Sequence, residues 1–139
     1  MTLRALLVPI LLVMTSPTAS VRSQKPDVTG FFSNMYVSSS TGDVGGATIF
    51  IARAEVHNGL EERYYAFVQT AEGVPTEPVL APVSVVGDSI TISFTDGQYK
   101  DISPFKGRIT ADALTGSFSN GWGFRLPRMV IASPPKKGR

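Results

Sequence analysis

A lone carboxylate, a lone histidine and one serine–lysine pair hold most of the chemistry this sequence could do. Ser103-Pro104-Phe105-Lys106 has the Ser-x-x-Lys spacing, which sets a hydroxyl beside an amine base when it opens a helix. The residues around it read as a link and a strand, and no companion motif goes with it, so the spacing alone makes no nucleophile. His57 is the only histidine, and it precedes Asn58-Gly59, a tight-turn signal that places the imidazole in solvent. There is no cysteine, so thiolate and clustered-imidazole metal sites are excluded. The carboxylates show no calcium-loop spacing. No metal, no cofactor and no catalytic residue are expected, and the chain does not read as an enzyme, because no nucleophile–base pair is visible.

Glu72 is the residue of greatest interest. It follows an aromatic run and precedes Gly73, at what reads as a strand end. A carboxylate there can meet a cation or polar ligand at the mouth of a barrel, or accept backbone N–H bonds within its own turn. Tyr65, Gln69, Tyr36 and Trp122 are the other candidate ligand contacts, since tyrosine and tryptophan bury area while offering a polar handle. The alternative for these side chains is to fill the core or cover a barrel end.

The elements that must position them are strands. Residues 64–70 are aromatic, β-branched or tolerated in strands, and contain neither Gly nor Pro. Alternation puts Tyr65, Phe67 and Gln69 on one face and Tyr64, Ala66, Val68 and Thr70 on the other; neither face is charged, so both are expected to be partly covered. Glu72-Gly73-Val74-Pro75 is expected to break the strand. Val79, Ala81, Val83 and Val85 form one apolar face of the next, and Pro82 predicts an edge or a bulge there.

The run Ala71-Glu72-Gly73-x-Pro75-x-x-Pro78-Val79-Leu80, after Tyr64-Tyr65-Ala66-x-Val68-Gln69, resembles a group of small secreted bacterial β-barrel proteins. Leu114-x-Gly116-x-Phe118 and Leu126-Pro127-Arg128 are similar to the later strands of that group. Gly30-Phe31-Phe32 resembles the Gly-x-Trp opening strand of lipocalin-like, or calycin-like, barrels, with Phe32 in the tryptophan's place. The resemblance implies a shared small β-fold and brings no activity with it.

Further strands flank the centre. Residues 29–38 read as the first and residues 47–56 as the second, with Phe50, Ala52, Ala54 and Val56 facing inward because Arg53 and Glu55 share the other face. In residues 89–95, Ile90, Ile92 and Phe94 alternate with Ser and Thr, the pattern of an antiparallel strand with one wet face. Phe105-x-Gly107-x-Ile109 and Leu114-x-Gly116-x-Phe118 mirror each other as a hairpin with an inward Gly on each side, where a sheet can bend. Residues 123–128 close the series. About eight strands at hairpin spacing predict an all-β, small antiparallel up-and-down barrel, with a two-sheet sandwich as the alternative.

Phe32, Phe50, Phe67, Phe94, Phe105, Phe118 and Phe124 all fall on faces read as inward or partly covered. An eight-stranded barrel is just wide enough for side chains or one small ligand. So many rings should fill it, confining any ligand site to the mouth near Glu72 and Tyr65.

The chain has 139 residues, enough for one domain. Residues 1–23 read as a signal peptide: Arg4, then an apolar run over residues 5–14, then the small residues Thr18-Ala19-Ser20. Residues 24–132 form the barrel domain and residues 133–139 a basic, disordered tail. The formal net charge is +2. Beyond residue 23, loss of Arg4 and Arg22 leaves 11 basic against 11 acidic residues, and the mature chain is neutral. Setting aside Lys25, Lys136, Lys137 and Arg139 leaves an acidic body, so no nucleic-acid surface is expected. The expected protein is therefore exported, periplasmic or extracellular, with no transmembrane span after cleavage. Its expected role is a binding module for a small or apolar ligand; the alternative is a protein-interaction, inhibitor or envelope-associated module whose partner is another exported protein. The mature protein is predicted to begin between Ser20 and Lys25; N-terminal sequencing of exported material that starts at Met1 would contradict this.

Overall fold

The computed structural model describes residues 27–55 and 62–130. The expected signal segment, Val56, the residues His57-Asn58-Gly59 of the expected turn and the expected basic tail lie outside the described residues. Among the described residues nine strands follow in order: β1 (Gly30–Ser33), β2 (Tyr36–Val37), β3 (Val44–Glu55), β4 (Glu62–Pro75), β5 (Val79–Val86), β6 (Ser89–Ile92), β7 (Phe105–Ile109), β8 (Ala113–Ser117) and β9 (Gly123–Pro127). A 3₁₀ turn, Lys100–Ile102, precedes β7. Every pairing is antiparallel, in the order β1-β3-β4-β5-β6-β7-β8-β9, with β2 attached to β3. A bridge between Phe32 and Arg128 and a 2.7 Å hydrogen bond from the Met129 N–H to the Phe31 carbonyl join the last strand to the first. The result is the expected up-and-down barrel, nearly closed, with eight strands in its wall.

The interior is apolar. Alternation carries Ile49 and Ile51 of β3, Ala66 and Val68 of β4, Ala81 and Val83 of β5, and Ile90 and Ile92 of β6 into one buried cluster. Beyond β6, Phe94 continues inward as its pattern predicts, and Phe32, Phe105, Phe118 and Leu126 join from the other side. Phe94, Tyr99, Phe105, Phe118 and Trp122 form a plug at the end where β7 begins, each ring lying 5.1–5.9 Å from a neighbour. Edge-to-face and offset contacts at this spacing suit the ring quadrupole.

Several readings of the sequence need correction. On β3 it is Ala47, Ile49 and Ile51 that face inward, while Phe50 and Ala52 face out. Arg53 and Glu55 do share the Ile49 face, but they sit where the strand has passed the rim, and both are exposed. Phe67 is likewise on the outer wall, 48% exposed. The interior is therefore filled by Ile, Val and Ala as much as by Phe. β4 does not stop at Glu72 but runs to Pro75, because β3 keeps pace with it as far as Val44↔Gly73. Pro82 lies in β5, between β4 and β6, not at an edge. Its carbonyl accepts the Ser93 N–H, so its missing N–H also faces the β6 side. The pairing with β6 ends just there, past Val83↔Ile92, so the bond that proline cannot donate falls at the end of the ladder rather than inside it.

Gly107 and Gly116 pair across β7 and β8 on the inward side, and the Phe105 ring folds over them. A Cβ on Gly116 would stand 2.6 Å from the tip of that ring and strike the Lys106 carbonyl. Gly116→Val is therefore predicted to cost about 2 kcal/mol or more by overpacking. Thr91→Val, on the outer side of β6, should change stability by less than about 0.5 kcal/mol. Chemical denaturation of the two variants checks the assignment, and equal losses would contradict it.

Candidate functional site

The five residues expected to contact a ligand fall in three places. Tyr36 and Glu72 come together. Tyr36 pairs with Gly45 and Gly45 with Glu72, so they flank one glycine in a single cross-strand row. The Tyr36 ring lies over Gly45, where a Cβ would stand 2.6 Å from it. Asp43, Ser38 and Thr41 complete this shallow cleft. Both Tyr36 and Glu72 are exposed.

The second place is the outer wall. Tyr65 and Gln69 both face outward on β4, on either side of Phe67. Tyr65 and Glu72 therefore do not share a mouth. The Gln69 amide donates to the Thr76 carbonyl at 2.7 Å, so one of its two N–H donors is spent on the turn after β4. Trp122 marks the third place. It packs against Phe118 and, at 4.8 Å, edge-on to Phe124, covering the barrel end.

A buried hydroxyl cluster holds the β4 extension in place. β5 accompanies β4 only from Tyr64 to Val68. Past that point the chain must turn back, and Thr76 is what turns it. Its N–H and its hydroxyl both donate to the Thr70 carbonyl at 2.8 Å. The Tyr99 hydroxyl lies 3.1 Å from that of Thr70 and 3.2 Å from that of Thr76. Thr70 and Tyr99 are buried, so these hydroxyls satisfy one another where water does not reach.

The larger feature of the surface was missed by reading the Phe50 face as inward and the Phe67 face as partly covered. Phe31 pairs with Phe50, Phe50 with Phe67, and Phe67 with Leu80, and all four face outward. Ring centroids are 6.3 Å apart for Phe31–Phe50 and 6.4 Å for Phe50–Phe67. Met129, bonded through its N–H to the Phe31 carbonyl and half exposed, extends the row. The result is an apolar belt across β1, β3, β4 and β5. Phe31, Phe50 and Phe67, with Met35, Thr48 and Gln69, line a shallow groove along it. Apolar residues on both parities of β3 and β4 were the available signal.

The opposite wall differs in kind. β7 and β9 present Lys106, Arg108 and Arg125. Arg108 pairs with Asp88 at 2.6 Å and Arg125 with Asp112 at 3.2 Å. The Arg108 hydrogen bond holds the Asp88 carboxyl below the usual aspartate range. The Thr110 hydroxyl is the main cause of the same shift at Asp112. Among the described residues no group of three His, Cys, Asp or Glu side chains could hold a metal ion, and no helix is long and apolar enough to cross a membrane. Comparison with protein-family models, curated proteins and solved structures finds no match to this chain.

Tyr99→Phe removes one hydroxyl from the buried cluster while keeping the ring in the plug. It is predicted to cost about 1 kcal/mol, the usual worth of a buried hydrogen bond. Thermal or urea unfolding measures it; an unchanged midpoint would mean that the cluster does not hold the turn.

Proposed function

We propose that this chain is an exported, non-catalytic binding module that meets an apolar partner with the outer wall of its barrel rather than with its lumen. The observation that carries this reading is the row Phe31–Phe50–Phe67–Leu80, set side by side by strand register and left facing solvent. Apolar patches of this kind on a soluble fold mark interaction sites. The lumen offers no comparable site, since Phe32, Ile49, Ile51, Ile92, Phe105 and Leu126 occupy it at close to zero exposure. The wall is also unlike that of a membrane-spanning barrel. Such barrels carry an apolar band all round and a polar interior, whereas β7 and β9 are charged outside and the core here is apolar. Export remains the compartment that residues 1–23 propose.

Titration of the mature protein with a fluorescent fatty-acid probe tests the reading. Phe67→Thr puts a strand-compatible β-branched residue on the wall and is expected to weaken probe binding about tenfold, by removing one exposed ring from the groove. Phe94→Trp, inside the plug, should leave it unchanged. Saturable binding that is lost in Phe94→Trp but kept in Phe67→Thr would place the site in the lumen and overturn the reading.

A further inference from the structure

The apolar belt has a shape and a charge pattern that narrow its partner. Resting on the outer-wall reading above, we propose that its occupant is a second copy of this chain, in an isologous contact centred on Phe50 and Phe67. Such a contact brings one patch against itself, so the patch must be self-complementary. A two-fold axis lying along the row sets each ring against its own counterpart. An axis across it, between Phe50 and Phe67, sets Phe50 on Phe67 and Phe31 on Leu80. In either arrangement apolar meets apolar.

Charge points the same way. The body of the protein carries more acidic than basic residues, so most self-contacts would bring like charges together. The middle of the row avoids this. Its neighbours along the strands, Thr48, Ala52, Tyr65, Gln69 and Pro82, are uncharged, and charge enters only at the margins, with Asp27 and Arg53 in the cleft beside Phe50 and Glu77 and Asp96 in the cleft beside Leu80. Depletion of charge with enrichment of aromatics is the composition of an interface core. The acidic body also disfavours an anionic lipid surface as the occupant.

The area is of the right size. Phe50, Phe67, Leu80 and Met129 are 38%, 48%, 54% and 49% exposed. Large side chains of this kind bury about 200 Å² each when fully covered, so the four leave on the order of 400 Å² of apolar surface in water. A standard interface covers roughly 800 Å² per partner and is a little over half apolar. The row therefore supplies most of the apolar share that such a contact needs, and the uncharged neighbours supply the polar remainder.

Analytical ultracentrifugation of the mature protein over a concentration series tests this. A reversible dimer is expected. Phe67→Glu buries a charge against its own counterpart or against Phe50, according to the axis, and should weaken association by roughly 30-fold or more, the range of a central hot spot. Phe67→Thr, and the double variant Phe50→Thr with Phe67→Thr, should weaken it without added charge. Thr115→Glu, on the far wall in β8, should leave it unchanged. Circular dichroism establishes that each variant is folded, and if Phe67→Glu does not fold, the threonine variants decide. A dimer lost in the Phe67 variants and kept in Thr115→Glu supports the proposal. A monomer at every concentration, or a dimer insensitive to Phe50 and Phe67, overturns it. If the protein is monomeric while Phe67→Thr still lowers probe binding, the wall serves another partner, and only the second copy is ruled out. If it is monomeric and probe binding ignores Phe67→Thr, the outer-wall reading falls as well.

Discussion

The barrel depends on one arginine. An up-and-down sheet becomes a closed wall only if its last strand finds its first, and here the backbone supplies little for that purpose: one bridge at Phe32↔Arg128 and the Met129 N–H. The Asn34 amide adds a 3.5 Å bond to the Arg125 carbonyl, and Arg128 supplies most of the rest. Its guanidinium donates to the Thr29 and Asp27 carbonyls at 2.6 Å each and to the Ala111 carbonyl at 3.0 Å. It lies 4.5 Å over the Phe32 ring, which is fully buried. Few side chains could do this. A guanidinium offers five donors in a planar fork, keeps its charge at any ordinary pH and stacks on an aromatic face. Gly30 leaves room for it. A Cβ there would stand 2.5 Å from a guanidinium nitrogen, and its φ of 140° is one that other residues rarely adopt. The motif pieces Gly30-x-Phe32 and Leu126-Pro127-Arg128, nearly a hundred residues apart in the chain, are thus two halves of one seam.

Much of this architecture is legible in the sequence, because a barrel wall repeats one simple rule. Ile90, Ile92 and Phe94 alternate with hydroxyl residues and go inward as a group. The mirrored glycines of β7 and β8 do meet, and the aromatic plug is assembled from residues whose parity puts them inside. The rule fails where a strand is longer than the barrel is tall. β3 spans twelve residues, and its inward parity begins with Ala47 and Ile49 and ends with Arg53 and Glu55. Reading the charges first assigns that face to solvent. The same strand has apolar residues on both parities, so alternation alone gives no answer. What decides is the register with β1 and β4, a long-range fact.

The candidate sites show the same division. Glu72 and Tyr36 could each be picked out as residues with chemistry to offer, yet their neighbourhood exists only because Gly45 stands between them in two ladders at once. Thr70, Thr76 and Tyr99 could not be picked out at all, since a threonine in an exposed turn and one sealing a buried hydroxyl cluster look alike in a one-dimensional string. The outer aromatic row is a third case. Phe31, Phe50, Phe67 and Leu80 come from four strands, and nothing in their spacing along the chain says that they stand in line.

The extension of β4 beyond β5 has a consequence for solubility. Past Thr70, whose backbone Thr76 covers, β4 has β3 on one side only as far as Gly73 and no strand on the other out to Pro75, which is the kind of open edge on which foreign strands add and fibrils start. The residues along it are poor templates for that. Glu72 carries a charge, Gly73 takes a φ of 91° that bends the backbone away from a flat strand, and Pro75 has no N–H to offer. The run Ala71-Glu72-Gly73-x-Pro75 thus serves as a guard against runaway β-addition, placed where this fold leaves itself open.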